Sequence, residues 1–178
     1  MNFDDLIIET EPPPNRRGKQ EGEYEQKFAE GAVMLAYAMH LLRTEPTKDV
    51  SIHPDGMHGK EFDLAAWLKR QGFTHIERTG TTSYGGVFAD GDGRRIVVNP
   101  KSGLGDVVAS VDGKIISAEC KGGIINTRHP GQQSRLDRGL CETVGRLMAT
   151  PSRGRQVAVV PYTEQTLRLA DGWPHGVQ

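Results

Sequence analysis

Apolar residues recur at helical spacing in three stretches of the chain, residues 24–42, 60–71 and 132–149. In the last stretch, Leu136 and Leu140 fall on one stripe, as they do when one face of a helix packs against a core. The pattern therefore predicts three amphipathic helices, separated by stretches with a different periodicity.

Shorter apolar runs rich in β-branched residues lie between the second and third predicted helices and after the third. They are bounded by Asp-Gly dipeptides, which favour the tight turns of hairpins. The predicted strands cover residues 73–78, 84–89, 94–98, 106–111, 114–120 and 156–160, with 166–169 as a further candidate. This order predicts an α/β fold in which a mixed central sheet, an antiparallel meander plus a further strand, is flanked by helices.

The polar stretches set the domain limits. Residues 1–22 include three consecutive prolines and little to bury, which favours a mobile N-terminal arm. Residues 44–59 have a loop-like composition. We therefore expect one domain over residues 23–170, followed by a C-terminal tail at 171–178.

Composition narrows the class of protein. The 178 residues are 36% hydrophobic and 25% charged, enough to bury the core of a single domain. No apolar run reaches the length of a membrane span or forms a signal-peptide core, and two cysteines do not make a disulfide framework. These features favour a cytoplasmic protein with no membrane partner; a prokaryotic or phage-type setting is expected only from the family resemblance described below.

Charge is unevenly distributed although the formal net charge is only −1. Residues 1–30 carry eight acidic and four basic side chains, whereas residues 114–155 carry eight basic and three acidic ones. The basic segment indicates a local anionic partner, with an ordinary solvated surface as the alternative.

The most informative stretch surrounds the turn at Asp112-Gly113. A two-residue turn there places Asp106 opposite Glu119, with β-carbons about 5 Å apart on one face of the hairpin. Side chains alternate along a strand, so Lys121 shares the face of Glu119 and Cys120 points the other way. Opposed carboxylates destabilise a sheet unless they are neutralised, and Mg²⁺ or Mn²⁺, which prefer oxygen ligands, would neutralise them.

These residues resemble the motif of the PD-(D/E)XK nuclease superfamily, the restriction-endonuclease-like fold. Asp106 heads one strand and Glu119-Cys120-Lys121 ends the next, although Gly105 stands where the family has proline. The family core is a helix, a three-strand antiparallel meander, a helix and a further strand, the order predicted over residues 60–160. The resemblance is nearest to Mrr-type and Holliday-junction-resolving nucleases.

The resemblance implies hydrolysis of phosphodiester bonds, most often in DNA. Asp106, Glu119 and the main-chain carbonyl of Cys120 would bind one or two Mg²⁺ or Mn²⁺ ions. Lys121 would orient or help to deprotonate the attacking water and stabilise negative charge. A salt bridge between Lys121 and Glu119 is a compatible structural role.

Many members of the family add an acidic residue from the first core helix. By comparison of residues 58–73 with the opening of Mrr-type nucleases, Glu61 is the favoured fourth catalytic and metal-binding residue. Asp63 is an alternative, as are Glu25 and Glu30 on the earlier helix. A helix-start acid stabilised by the helix dipole accounts for Glu61 equally well.

Several polar side chains around the motif are candidates for nucleic-acid binding. Arginines and glutamines at a helix start can hold phosphates together with free backbone amides. The candidates are Lys101, Ser102, Arg128, Gln132, Gln133, Arg135 and Arg138. The expected partner is nucleic acid, with a homodimer or a larger complex as the form that cuts both strands.

The sequence also offers a second candidate metal site and alternative functions. His53, Asp55 and His58 share one loop with proline and glycine and lack a partner cysteine, so they do not predict a metal site. A non-cleaving subunit of the same fold, which binds nucleic acid or protein, is one alternative function, and a metal-free α/β interaction domain is another. Defence, mobile-element and repair roles are all compatible with a small nuclease.

Overall fold

Helices and strands alternate in the computed structural model, which describes residues 3–150 and 154–172. The strands are β1 (Ile7–Thr10), β2 (Glu25–Phe28), β3 (Asp49–Ile52), β4 (Thr74–Arg78), β5 (Gly86–Ala89), β6 (Arg95–Val98), β7 (Val107–Val111), β8 (Lys114–Cys120), β9 (Gly123–Ile124) and β10 (Gly154–Val159). The helices are α1 (Glu30–Thr44), α2 (His58–Glu61), α3 (Leu64–Arg70), α4 (Pro130–Ala149) and α5 (Glu164–Asp171), preceded by a 3₁₀ turn at Asp4–Leu6. The predicted α/β class, a mixed multi-strand sheet flanked by helices, is confirmed.

The main sheet has seven strands in the order β10-β8-β7-β3-β6-β5-β4. β10 pairs with β8 in parallel and β3 pairs with β6 in parallel, whereas the other neighbours are antiparallel. The core lies between this sheet and α1, which packs against β3, β7 and β8. Helix α4 packs against β8 and β10.

The hairpin of β7 and β8 has the predicted register. Asp112 and Gly113 both have positive φ, 49° and 75°, as a two-residue hairpin turn of this kind requires. The ladder runs from Val111 opposite Lys114 to Val107 opposite Ala118. Local turn chemistry therefore fixes which side chains meet at the open end of the hairpin.

A second sheet joins the start of α1 to the end of β8. It consists of β1, β2 and β9 in that order, all antiparallel. Strand β2 leads directly into α1, and β9 follows β8 after two residues. Residues 7–10 form β1, an edge strand of this second sheet, and Leu6 before them is fully buried. This part of the segment expected to be a mobile arm is therefore packed on the domain.

The chain that follows β3 returns to β3 at the start of β7. Ile52 pairs with Val107, and the next amide, that of His53, donates to the carbonyl oxygen of Asp106 at 2.8 Å. Helices α2 and α3 and strands β4 to β6 all belong to this excursion, which extends the main sheet beyond β3.

Two predicted elements are wrong in type. Residues 25–28 are strand β2 rather than the first turn of a helix, because they pair with both β1 and β9. Residues 166–169 lie in α5 rather than in a strand, because Thr163 and Thr166 cap that helix reciprocally.

Two further predictions need correction in extent. The expected loop at 44–59 contains β3, whose Val50 and Ile52 are buried between β6 and β7. The expected helix at 60–71 is two helices, because Asp63 caps α3 by accepting the Ala66 amide at 2.9 Å.

The expected tail at 171–178 lies outside the described residues from residue 173 onward. Among residues 3–150 and 154–172, no helix combines the length and the apolar character needed to cross a membrane.

Candidate active site

The open end of the β7–β8 hairpin forms one wall of a cleft of about 530 Å³. Asp106 precedes β7, and Glu119 and Lys121 stand at the end of β8. The start of α1 and the loop before α2 close the cleft from other sides. The ionisable side chains that line it are Glu30, His53, Asp55, His58, Asp106, Glu119, Lys121 and Arg146.

Asp106 lies one position beyond the last ladder pair. Its Oδ2 accepts the backbone amide of Cys120 at 2.7 Å, which holds the carboxylate against the end of β8. Gly105, just before Asp106, lies close to β8, since a β-carbon there would come within 2.8 Å of the Ala118 carbonyl oxygen. The close approach of Asp106 to β8 thus depends on the absence of a side chain before it.

The two predicted carboxylates are close enough to influence each other. Burial raises the pKa of Asp106, and the negative charge of Glu30 raises it further. Burial likewise raises the pKa of Glu119, with the charge of Asp106 as the next cause. A bound cation would relieve this repulsion, so the arrangement favours cation binding.

Cys120 points away from this cluster, as strand alternation predicts. Its side chain is 2% exposed, whereas Glu119 and Lys121 on either side are partly exposed. Burial raises the pKa of the Cys120 thiol well above its usual value. The Cys120 thiol therefore packs in the core and does not take part in the chemistry of the cleft.

Lys121 pairs with Glu30 rather than with Glu119. Its Nζ lies 3.0 Å from one carboxylate oxygen of Glu30, and Nε2 of His58 lies 3.1 Å from the other. Burial alone would raise the pKa of Glu30, but the hydrogen bonds from His58 and Lys121 lower it below its usual value. Glu30 is therefore an ionised bridge that holds two basic side chains at the cleft.

His58 is a site residue that the sequence interpretation missed. Its Nδ1 accepts the amide of Asp55 at 3.0 Å, which leaves the Nε2 proton directed at Glu30 when the ring is neutral. The hydrogen bond to Glu30 raises the pKa of His58, against the effect of its partial burial. The loop at 53–58 carries no cysteine, and nothing local signals that His58 reaches a helix far earlier in the chain.

Without metal, we expect the melting temperature to fall as pH rises through the raised pKa of His58. This pKa is above the ordinary 6.5, so protonated His58 stabilises the fold fully below pH 6.5 and loses that effect as pH rises through the folded value. Each kcal/mol lost lowers the melting temperature by about 2–4 °C for a chain of this size.

Thermal melts from about pH 5 to about pH 9, a span that covers the ordinary histidine range, measure this effect. His58→Gln should flatten the curve above pH 6.5, and His40→Gln, at an exposed histidine of α1, should leave it like the parent. Superimposable curves for the parent and His58→Gln would contradict the His58–Glu30 pair.

The favoured fourth acid does not line the cleft. Glu61 forms an exposed ion pair with Lys27 at 3.0 Å. Asp63 is occupied as the cap of α3, and Glu25 is buried against Arg16 at 2.6 Å. Of the alternatives weighed from the sequence, Glu30 is the acid that the structure brings to Lys121.

The candidate nucleic-acid-binding residues are dispersed around the hairpin end. Ser102 lines the cleft, and the Lys101 carbonyl lies 2.7 Å from Nδ1 of His53. Gln132 and Arg135 line a separate groove of about 450 Å³ that also contains Lys27. The remaining three are Arg128, which pairs with Glu21, Gln133, which donates to the Thr127 carbonyl, and the exposed Arg138.

The donors at the cleft fit a hard divalent cation bound in part by water. In the described residues, no group of three or more His, Cys, Asp and Glu side chains is arranged as a metal centre. Asp106 and Glu119 nevertheless supply two partly buried carboxylates that repel each other at an open cleft. Mg²⁺ is commonly held by one or two carboxylates and keeps several waters, which suits this donor set.

A comparison of the chain with protein-family models, with curated proteins and with solved structures finds no match.

Proposed function

We propose that the protein is a metal-dependent nuclease of the PD-(D/E)XK type that hydrolyses phosphodiester bonds in DNA. The observation that carries the proposal is the meeting of Asp106, Glu119 and Lys121 in one cleft at the open end of the β7–β8 hairpin. Burial and mutual repulsion of the two carboxylates supply a reason to bind Mg²⁺ or Mn²⁺.

The order of elements around the hairpin supports the same proposal. Helix α1, the antiparallel strands β3, β7 and β8, helix α4 and strand β10 follow one another in the order of the family core, with the excursion of α2 to β6 inserted after β3. Under this assignment α1, not the helix at 60–71, is the first core helix. Its acidic residue at the cleft is Glu30.

Asp106, Glu119 and the Cys120 carbonyl would hold the cation. A bound Mg²⁺ would lower the pKa of a coordinated water and stabilise the charge that develops on the phosphate. Hydrolysis adds water across a P–O bond, leaving a phosphate on one fragment and a hydroxyl on the other.

Lys121 is placed to act as a donor. Its ammonium pairs with Glu30, so in the cleft it can donate hydrogen bonds to the attacking water and to a phosphate oxygen. Both oxygens of Glu30 are taken by Lys121 and His58, so Glu30 acts as a positioning residue for Lys121.

The testing experiment incubates the full chain with MgCl₂ or MnCl₂ and end-labelled single-stranded, duplex and branched DNA, with matched RNA. We expect DNA cleavage that EDTA abolishes. Glu119→Gln removes one ligand charge at nearly constant shape and should lower the rate by about a hundredfold to a thousandfold. Glu77→Gln, the same change at an exposed position of β4, at the opposite edge of the main sheet from β8 and β10, should cut at the parent rate.

Each alternative predicts a different result in this experiment. Cleavage by Glu119→Gln at the parent rate would contradict the proposed site. Binding of labelled DNA without cleavage under either metal would instead support a non-cleaving nucleic-acid-binding subunit. Size-exclusion chromatography on duplex DNA would show whether a homodimer performs the cut.

A further inference from the structure

Glu119 has a basic partner that comes from α4. Nη1 of Arg146 lies 3.5 Å from Oε2 of Glu119. Charge-assisted hydrogen bonds are usually about 2.7–2.9 Å long, so this ion pair is loose. The Arg146 side chain is 62% exposed and that of Glu119 is 16% exposed, so the arginine can turn into water at little cost while the glutamate stays in the cleft.

Arg146 extends from the face of α4 that packs beside the end of β8. On that face, a β-carbon at Gly139 would lie 3.5 Å from Cγ of Lys121. Thr143 is buried, and its hydroxyl donates to the Gly139 carbonyl at 2.8 Å. Residues 139, 143 and 146 share one face by helical spacing, so the backbone under Arg146 is anchored next to Lys121.

A cation at Glu119 would have to displace this arginine. The other basic groups in contact with a cleft carboxylate, Lys121 and His58, are both held by Glu30. A divalent ion on Glu119 competes with Arg146 for the same oxygens and repels its guanidinium. A freed guanidinium at a cleft wall is suited to phosphate, which it can bind through two parallel hydrogen bonds.

We propose that Arg146 exchanges partners: it neutralises Glu119 in the metal-free protein, and it binds a phosphate of the nucleic-acid substrate once a divalent cation occupies Glu119. The inference rests on the proposed function and adds a substrate-binding residue from α4. It gives Arg146 opposite effects on metal binding and on cleavage.

The metal half of the inference is tested by isothermal titration calorimetry of MnCl₂ into the full chain without nucleic acid. Removing the competitor in Arg146→Gln should tighten Mn²⁺ binding by about two- to fivefold, the equivalent of an exposed ion pair. Arg146→Lys keeps the charge and should bind Mn²⁺ much as the parent does. Arg43→Gln, at an exposed arginine in the last turn of α1, is the matched control.

The substrate half is tested by steady-state cleavage at saturating Mn²⁺. Arg146→Gln should lower kcat/KM by about tenfold to a hundredfold, as expected when a hydrogen bond to a charged group is lost. Arg146→Lys should recover only part of this loss, because lysine lacks the planar fork. Arg43→Gln should cut like the parent.

The outcomes separate this inference from the proposed function. In one outcome, the parent cleaves DNA and binds Mn²⁺ while Arg146→Gln equals it in Mn²⁺ affinity or in kcat/KM. That result would overturn the partner exchange and leave the nuclease proposal standing. Weaker Mn²⁺ binding by Arg146→Gln than by the parent would show that Arg146 does not compete with the cation for Glu119, and it would also overturn the partner exchange. A parent that neither binds Mn²⁺ nor cleaves DNA would overturn both.

Discussion

Asp106→Asn is expected to lower Mg²⁺-dependent DNA cleavage by about a thousandfold or more, since a metal ligand supplies several kcal/mol of transition-state stabilisation. Asparagine keeps an oxygen that can accept the Cys120 amide, so the hairpin end should stay in place. The lost function then reports the charge of Asp106 rather than a disturbed fold.

The same variant should melt higher than the metal-free parent by about 1–4 °C at neutral pH. The pKa of Asp106 is raised from 3.8, so its protonated form stabilises the fold below that pH and the effect is lost as pH rises through the folded value. Asparagine mimics the uncharged form, and the difference from the parent should therefore vanish below pH 3.8.

Cleavage rates, calorimetry with MgCl₂ and thermal melts with EDTA measure these effects. Asp112→Asn makes the same change at the exposed turn of the same hairpin, where asparagine tolerates positive φ. It should leave the cleavage rate, the Mg²⁺ affinity and the melting temperature close to those of the parent. Parent-like cleavage by Asp106→Asn would remove the basis for the nuclease assignment.

Gly122→Ala is expected to destabilise the protein by about 3 kcal/mol, the upper range for overpacking a filled interior. A β-carbon at Gly122 would overlap the carbonyl oxygen of Phe28 and lie 2.7 Å from the amide nitrogen of Glu30. Both neighbours are backbone, so they move only if the start of α1 moves. That movement should separate Glu30 from Lys121.

Urea unfolding measures the loss of stability, and the cleavage assay measures the effect of separating Lys121 from Glu30. The matched control is Gly56→Ala, because a β-carbon at Gly56 meets open space beside the cleft. Equal free energies of unfolding for Gly122→Ala and Gly56→Ala would show that the second sheet does not hold α1 in close contact with the end of β8.

The hairpin could be predicted from the sequence because its determinants are local. The Asp112-Gly113 turn sets the register, and alternation then assigns Glu119 and Lys121 to one face and Cys120 to the other. No distant contact is needed to bring Asp106 to the end of β8. The register of this hairpin is therefore predicted correctly from adjacent residues alone.

The rest of the site depends on pairing over long distances. Strand β3 is only four residues long, so the alternation of Val50 and Ile52 with polar residues is too short to predict its position between β6 and β7. Its absence from the prediction made the helix at 60–71 look like the first core helix and favoured Glu61. Glu30 was among the alternatives, but its selection requires knowing that α1 packs on β3, β7 and β8.

His58 and Arg146 illustrate the same limit. Each is brought to the cleft by a tertiary contact, with Glu30 and with Glu119 respectively. Helical spacing shows that Arg146 shares a face with Gly139, but not that this face abuts β8. Sequence patterns define faces, whereas the sheet order decides which faces meet.

The excursion that leaves after Ile52 and returns before Val107 has an evolutionary and practical implication. Its two ends meet at the Ile52–Val107 pair and at the hydrogen bond from the His53 amide to the Asp106 carbonyl, so the intervening segment resembles an insertion between two adjacent points of the sheet. Trp67, Phe88 and Ile96 of this segment belong to the same buried core as α1, so an exchanged segment would have to fill the same space for Glu30 to keep its place. The new segment would also have to supply a base in place of His58, which bonds Glu30, and a cleft wall in place of Ser102 and Gly103.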